Sequence, residues 1–148
     1  MKILDEPLSN FDIEEIVNNL GMANLFGGCY LKDELPKNVN AKYYIVNLDD
    51  SHTQKGGTHW TLLVIKDSRR AIYFDSFGMP PPNEVVKFVG DREIIYSSNE
   101  MQNVNSVLCG YFCIYFMNEL FSHKSLYDIL YDVSGNSDSC LKRYFKDL

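Results

Sequence analysis

Four side chains in this 148-residue chain could together break an amide bond. Cleavage by a thiol requires a nucleophile, a base that takes its proton, a group that orients the base, and donors for the oxyanion that forms on the substrate carbonyl. Cys109, His59, Asp75 and Gln102 supply one candidate for each role. Cys109 opens an apolar run that reads as a helix, and the free N–H groups and dipole at a helix N-terminus favour thiolate over thiol. An imidazolium from His59 would favour it further, taking such thiols to pKa values of ~3.5–7.5 from the free ~8.5. The ion pair exists between the thiol and histidine pKa values, so activity is expected to fail at acid pH first. Asp75 would hold the second ring nitrogen of His59, and the Gln102 amide would join the Cys109 backbone N–H at the oxyanion.

Each of these residues, taken alone, also has a purely structural reading. Cysteine is among the most buried residue types, a strand histidine can simply be hydrogen-bonded, and Asp75 before Ser76-Phe77-Gly78 is an ordinary turn initiator. Gln102 alone carries no signal. Cys109 and Cys113 at i, i+4 could suggest a metal site, but the aromatic and aliphatic neighbours of Cys113 make it a core residue, and no metal is expected. His52 falls in a polar loop, and His123 follows the buried helix, where a cation complements the C-terminal dipole.

The elements that must position these residues follow from pattern. Ser9 and Asp12 resemble a capping box, and Ile13, Ile16, Val17 and Leu20 then recur at helical spacing up to Gly21. Met22 to Ala41, with Gly27-Gly28 and Pro36, reads as a structured loop. Residues 42–48, 58–65 and 71–75 are β-branched and aromatic, and read as strands, the last two joined as a hairpin through Asp67 to Arg70. A short helix from Asn83, a strand over Glu93–Tyr96 and a polar loop from Ser97 to Asn105 come next. From Ser106 the chain is apolar on nearly every side, as in a buried helix, whose Gly110 permits close approach of another backbone. Short helices around Leu126–Tyr131 and Cys140–Phe145 end the chain.

The expected fold is therefore α+β, a single domain over residues 1–148. A small central mixed sheet would pack between the N-terminal helix and the buried helix that carries Cys109. The hairpin register is constrained as well. His59 and Asp75 share a face only if paired residue numbers sum to an even value, which requires a three-residue loop or a bulge near Asp67–Arg70, unless His59 lies outside the regular ladder.

Composition narrows the partners. With 14 basic and 20 acidic residues the net charge is −6, so bulk attraction to nucleic acid or to an anionic membrane is not expected. No window approaches the ~18 apolar residues of a membrane span, and Met1-Lys2-Ile3-Leu4-Asp5-Glu6-Pro7 lacks the apolar core of a signal peptide. A soluble, intracellular protein with four reduced cysteines is expected.

Read together, three blocks carry a resemblance: Gly56-Gly57-Thr58-His59-Trp60, then Tyr73-Phe74-Asp75-Ser76-Phe77-Gly78, then Gln102 seven residues before Cys109-Gly110-Tyr111-Phe112-Cys113. This set resembles adenain, the adenovirus maturation protease family, in the clan shared with the SUMO proteases, and the likeness extends over about residues 9–121. The resemblance implies an adenain-like cysteine protease fold with Cys109 as nucleophile, His59 as base and then acid, Asp75 as orienting carboxylate and Gln102 as oxyanion donor. Trp60 would wall a narrow substrate cleft. Cleavage of capsid or other precursor proteins at Gly-containing sites is implied, for a virus or virus-like element, in the virion or the host nucleus or cytoplasm.

Where this chain departs from that family, the expectations change. Adenain has glutamate where Asp75 stands. It also binds an activating peptide through a disulfide, at a position matched here by Glu93, so a peptide activator, if used, would not be held by a disulfide there. Adenain is basic and uses DNA, whereas this chain is acidic and DNA binding is not expected; no cofactor is assigned. Three alternatives stay open: a protease for ubiquitin-like modifiers, a clan-related acetyltransferase, and a binding module without chemistry, against which the intact set of four residues argues.

Overall fold

The computed structural model describes residues 6–49, 51, 59–102, 107–133 and 137–147. Ser9 starts helix α1 (Asn10–Asn19) as a capping box: its hydroxyl accepts the Asp12 N–H at 3.1 Å, and the Asp12 carboxylate accepts the Ser9 N–H at 2.9 Å. Gly21, at φ 76, ends it. The Gly21 N–H donates to the Asn18 carbonyl and the Met22 N–H to that of Val17, the paired bonds of a Schellman close.

The stretch read as a loop after α1 contains a strand, β1 (Phe26–Leu31), which the two glycines disguised. Gly27 stands where the Tyr44 ring crosses the strand, so any side chain there would collide with that ring. The other strands are β2 (Tyr43–Asn47), β3 (Trp60–Ile65), β4 (Arg70–Phe74) and β5 (Glu93–Tyr96), in spatial order β1-β2-β3-β4-β5. The sheet is mixed, parallel at β1/β2 and β4/β5 and antiparallel between. In the β3/β4 hairpin Leu62 pairs Phe74 and Ile65 pairs Ala71, and the Lys66 N–H donates to the Arg70 carbonyl at 3.0 Å. The paired numbers sum to an even value, so the loop is the three residues Asp67, Ser68 and Arg69. The Asp67 carboxylate closes it by accepting the N–H groups of Arg69 and Arg70 at 2.8 and 2.9 Å.

Alternation along the strands makes two cores. On one face Tyr43, Ile45, Leu62, Val64, Ile72 and Phe74 pack in a single cluster with residues of α1, α3 (Cys109–Phe121), α4 (Leu126–Val133) and α5 (Ser137–Lys146). On the other, Tyr44, Val46, Leu63, Ile65, Ala71 and Tyr73 meet Val85 and Val89 of α2 (Asn83–Val89). The expected sandwich of the sheet between the N-terminal helix and the cysteine helix is therefore corrected: both lie in the same core, and the opposite face is covered by α2. The period of a helix shows which of its faces is apolar, but not which side of a sheet receives it. In α3, 10 of 13 residues are buried, which its all-round apolar sequence demands. The Phe116 ring stacks on Phe74 at 3.7 Å between centroids. Gly110 makes room for side chains, not for the expected backbone: a Cβ there would lie 3.2 Å from Leu8 and 3.4 Å from Trp60. Among the described residues, no helix is long and apolar enough to cross a membrane.

Candidate active site

The antiparallel hairpin turns its chemistry outward at one end. His59 immediately precedes β3 and Asp75 immediately follows β4, so the register that aligns Leu62 with Phe74 also brings these two together. Their side chains meet at 2.7 Å, His59 Nε2 to Asp75 Oδ1. The same carboxylate oxygen accepts the Phe77 N–H at 2.8 Å, and the Phe77 ring stacks on the imidazole at 4.6 Å and 24°. The aspartate therefore holds the ring in plane and in position despite its short side chain. With Asp75 on Nε2, Nδ1 is the nitrogen left to serve a thiol.

That thiol is Cys109, the first residue of α3, 4% exposed. Its Sγ accepts the Trp60 backbone N–H at 3.5 Å, which pins the sulfur beside the residue next to His59. Burial pulls the His59 imidazolium pKa down, but hydrogen bonds to Asp75 and Cys109 and the charges of both outweigh it, and the histidine is pushed up to about 9. The ring is thus disposed to carry a proton next to the sulfur. Two of the other thiols are disfavoured as thiolates. Burial, helped by Glu14, raises Cys29 to about 12, and burial raises Cys113 well above the ordinary thiol value. None of the four cysteines, all among the described residues, forms a disulfide.

Gln102 is buried, 3% exposed, and tied to the turn that follows Asp75. The Ser76 hydroxyl donates to Gln102 Oε1, and the Ser76 carbonyl accepts the N–H groups of Met101 and Gln102 at 2.7 and 3.0 Å. Ser76 thus fixes which end of the Gln102 amide accepts. Ser76 is a site residue that sequence reasoning missed; the only signal was its place between Asp75 and the aromatic–glycine turn. Gly78 makes that turn possible. Its φ is 74, its N–H donates to the Asp75 carbonyl at 2.8 Å, and a Cβ on it would lie 2.5 Å from the Ser98 carbonyl oxygen.

Trp60, 7% exposed, donates its indole N–H to the Leu8 carbonyl at 2.8 Å, which fixes the ring against the N-terminal segment. A groove of about 540 Å³ opens beside it. Gly56, Gly57, Thr58, His52 and residues 103–106 lie outside the described residues, so their part in the expected motif has no structural account. His123 is a separate feature, exposed with φ 70 beyond the end of α3. Among the described residues no group of three or more histidine, cysteine or acidic side chains could hold a metal.

Against this geometry, the similarities to other proteins can be placed. No protein-family model and no curated protein matches the sequence. In structure the chain is similar to the ASFV pS273R protease, with a TM-score of 0.67 and 12% identity over 95% of this chain, and to its selenomethionine form, with 0.64 and 14% over 95%. The chain spans 66% and 67% of those two proteins, about two thirds of their length. At this identity the likeness is one of fold: the mixed sheet and its helices share the architecture of a viral protease.

Proposed function

We propose that this chain is a cysteine endopeptidase that cleaves precursor proteins at Gly-containing sites, in the manner of a viral or virus-like-element maturation protease. One observation carries the reading: His59 is bonded to buried Asp75 at 2.7 Å while its protonated form is favoured by Cys109 at the start of α3. In the proposed reaction the Cys109 thiolate attacks the scissile carbonyl. The oxyanion forms against the Gln102 amide and the Cys109 backbone N–H. His59 then gives its proton to the leaving amine, and the acyl-enzyme is hydrolysed by a water that His59 deprotonates. Asp75 keeps the imidazolium oriented throughout. The preference for glycine is taken from the resemblance to adenain, in which Trp60, held here by the Leu8 carbonyl and packed against Gly110 at the start of α3, would wall the cleft. The fold shared with the ASFV protease supports the reading at the level of architecture.

The test is iodoacetamide labelling at neutral pH, read by intact mass, on wild type and His59→Ala, beside turnover of a glycine-containing peptide. Fast, selective labelling of Cys109 that is lost without His59, with turnover lost in both His59→Ala and Cys109→Ser, is the expected result. Slow, equal labelling of all four cysteines would overturn the proposal.

A further inference from the structure

The groove beside Trp60 has a composition that the cysteine chemistry does not explain. Its lining mixes apolar residues, Leu8, Tyr30, Leu31 and Trp60, with polar ones, and besides Ser9 and Asn10 of the helix start these include two side chains of opposite kind, Asn47 and Glu34. Asn47 lies at the floor with its side chain fully buried. Its Oδ1 accepts the Asp49 N–H at 2.9 Å, but among the described residues its Nδ2 has no partner. A buried donor left unpaired is costly, and is accounted for when a ligand supplies the acceptor. Glu34 lies at the rim, exposed, and is the one charged residue among the described residues that line the groove. The nearby Lys32 is turned to Glu84, 3.6 Å away, and no ion pair among the described residues engages Glu34.

We propose that this groove is a substrate subsite for an extended peptide, in which Asn47 meets a backbone carbonyl and Glu34 selects a basic side chain close to the scissile bond. A carbonyl supplies the acceptor that Asn47 lacks, and Lys or Arg supplies the charge that Glu34 lacks. The apolar walls cover the aliphatic stem of such a side chain. Trp60 links the groove to the thiol, since it lines the groove while its backbone N–H donates to Cys109 Sγ. The acidic surface as a whole would also draw basic peptides toward the site.

This inference rests on the proposed protease reading, and its test separates the two. Iodoacetamide reaches Cys109 without filling the groove, whereas a peptide must lie in it. A series of glycine-containing peptides would carry Lys, Gln or Glu in turn at each position within roughly four residues of the bond, on both sides, the span an extended chain of that length can reach. At one position Lys is expected to exceed Glu in kcat/KM by about tenfold, mainly through KM. Glu34→Gln should erase that preference and Glu34→Lys should invert it, while Asn47→Ala raises KM for all peptides alike. Equal rates for Lys, Gln and Glu at every position overturn the inference. So does a preference that survives Glu34→Gln, or failure of every peptide while iodoacetamide still selects Cys109. Loss of selective labelling would instead bring down the protease reading itself.

Discussion

At the scale of single residues, the position of His59 decides what the site can do. Its pKa is raised above the ordinary histidine value to about 9, so the charged ring contributes stability that is fully present below about pH 6.5 and lost as pH rises through 9. The same sign governs turnover. In the proposed reaction the leaving amine takes its proton from the ring, and above pH 9 the ring has lost it. Peptide cleavage is therefore expected to fall on a basic limb near pH 9, which a pH profile of turnover measures. In Cys109→Ser the histidine titration, followed by NMR of the ring, should move to lower pH because one of the groups that raise it is gone. The four candidate residues were legible as types in order, since thiol chemistry needs those types. Ser76 was not, because a serine in a turn has no distinguishing chemistry until the Gln102 side chain is seen to lie against it.

At the scale of elements, the turn from Asp75 to Gly78 couples the carboxylate that holds His59 to the side chain of Gln102. Its two glycine-dependent features, positive φ and the approach of Ser98, separate two kinds of substitution. Gly21 has nearly the same φ, 76, but nothing lies within 4 Å of a Cβ there. Gly21→Ala should therefore cost only the backbone strain, ~1 kcal/mol, and leave peptide turnover intact. Gly78→Ala adds a clash with the Ser98 backbone, and should cost more, ~2–3 kcal/mol, and also reduce kcat by displacing Gln102. Urea unfolding and steady-state kinetics on both variants check this. Capping at Ser9 was readable because its residues are local, and so was the loop of Asp67 to Arg69, through the parity of the hairpin. Strand β1 was not. Its glycines read as loop residues, and the reason for Gly27 is the ring of Tyr44, on a strand that meets it only after folding.

At the scale of the whole molecule, one large core binds the helices to the sheet and sets the height of Cys109 against His59. Phe116, fully buried and stacked on Phe74, joins α3 to β4 in that core. Phe116→Ala is expected to destabilise the protein by ~3–5 kcal/mol, whereas Phe11→Ala, at a position 74% exposed, should change stability by less than ~0.5 kcal/mol. Thermal or denaturant unfolding of the two variants measures the contrast.

The sequence by itself determined the α+β class, most of the strands and helices, and the condition under which the hairpin brings His59 to Asp75, a three-residue loop or a bulge unless His59 leaves the ladder. Each of these depends on residue type or on short-range periodicity. Only the tertiary structure decided that α1 and α3 share one face, that β1 is a strand, that Ser76 holds Gln102, and that Asn47 and Glu34 lie in one groove beside Trp60. These depend on contacts between segments far apart in the chain, and such contacts leave no local pattern in the residues that make them.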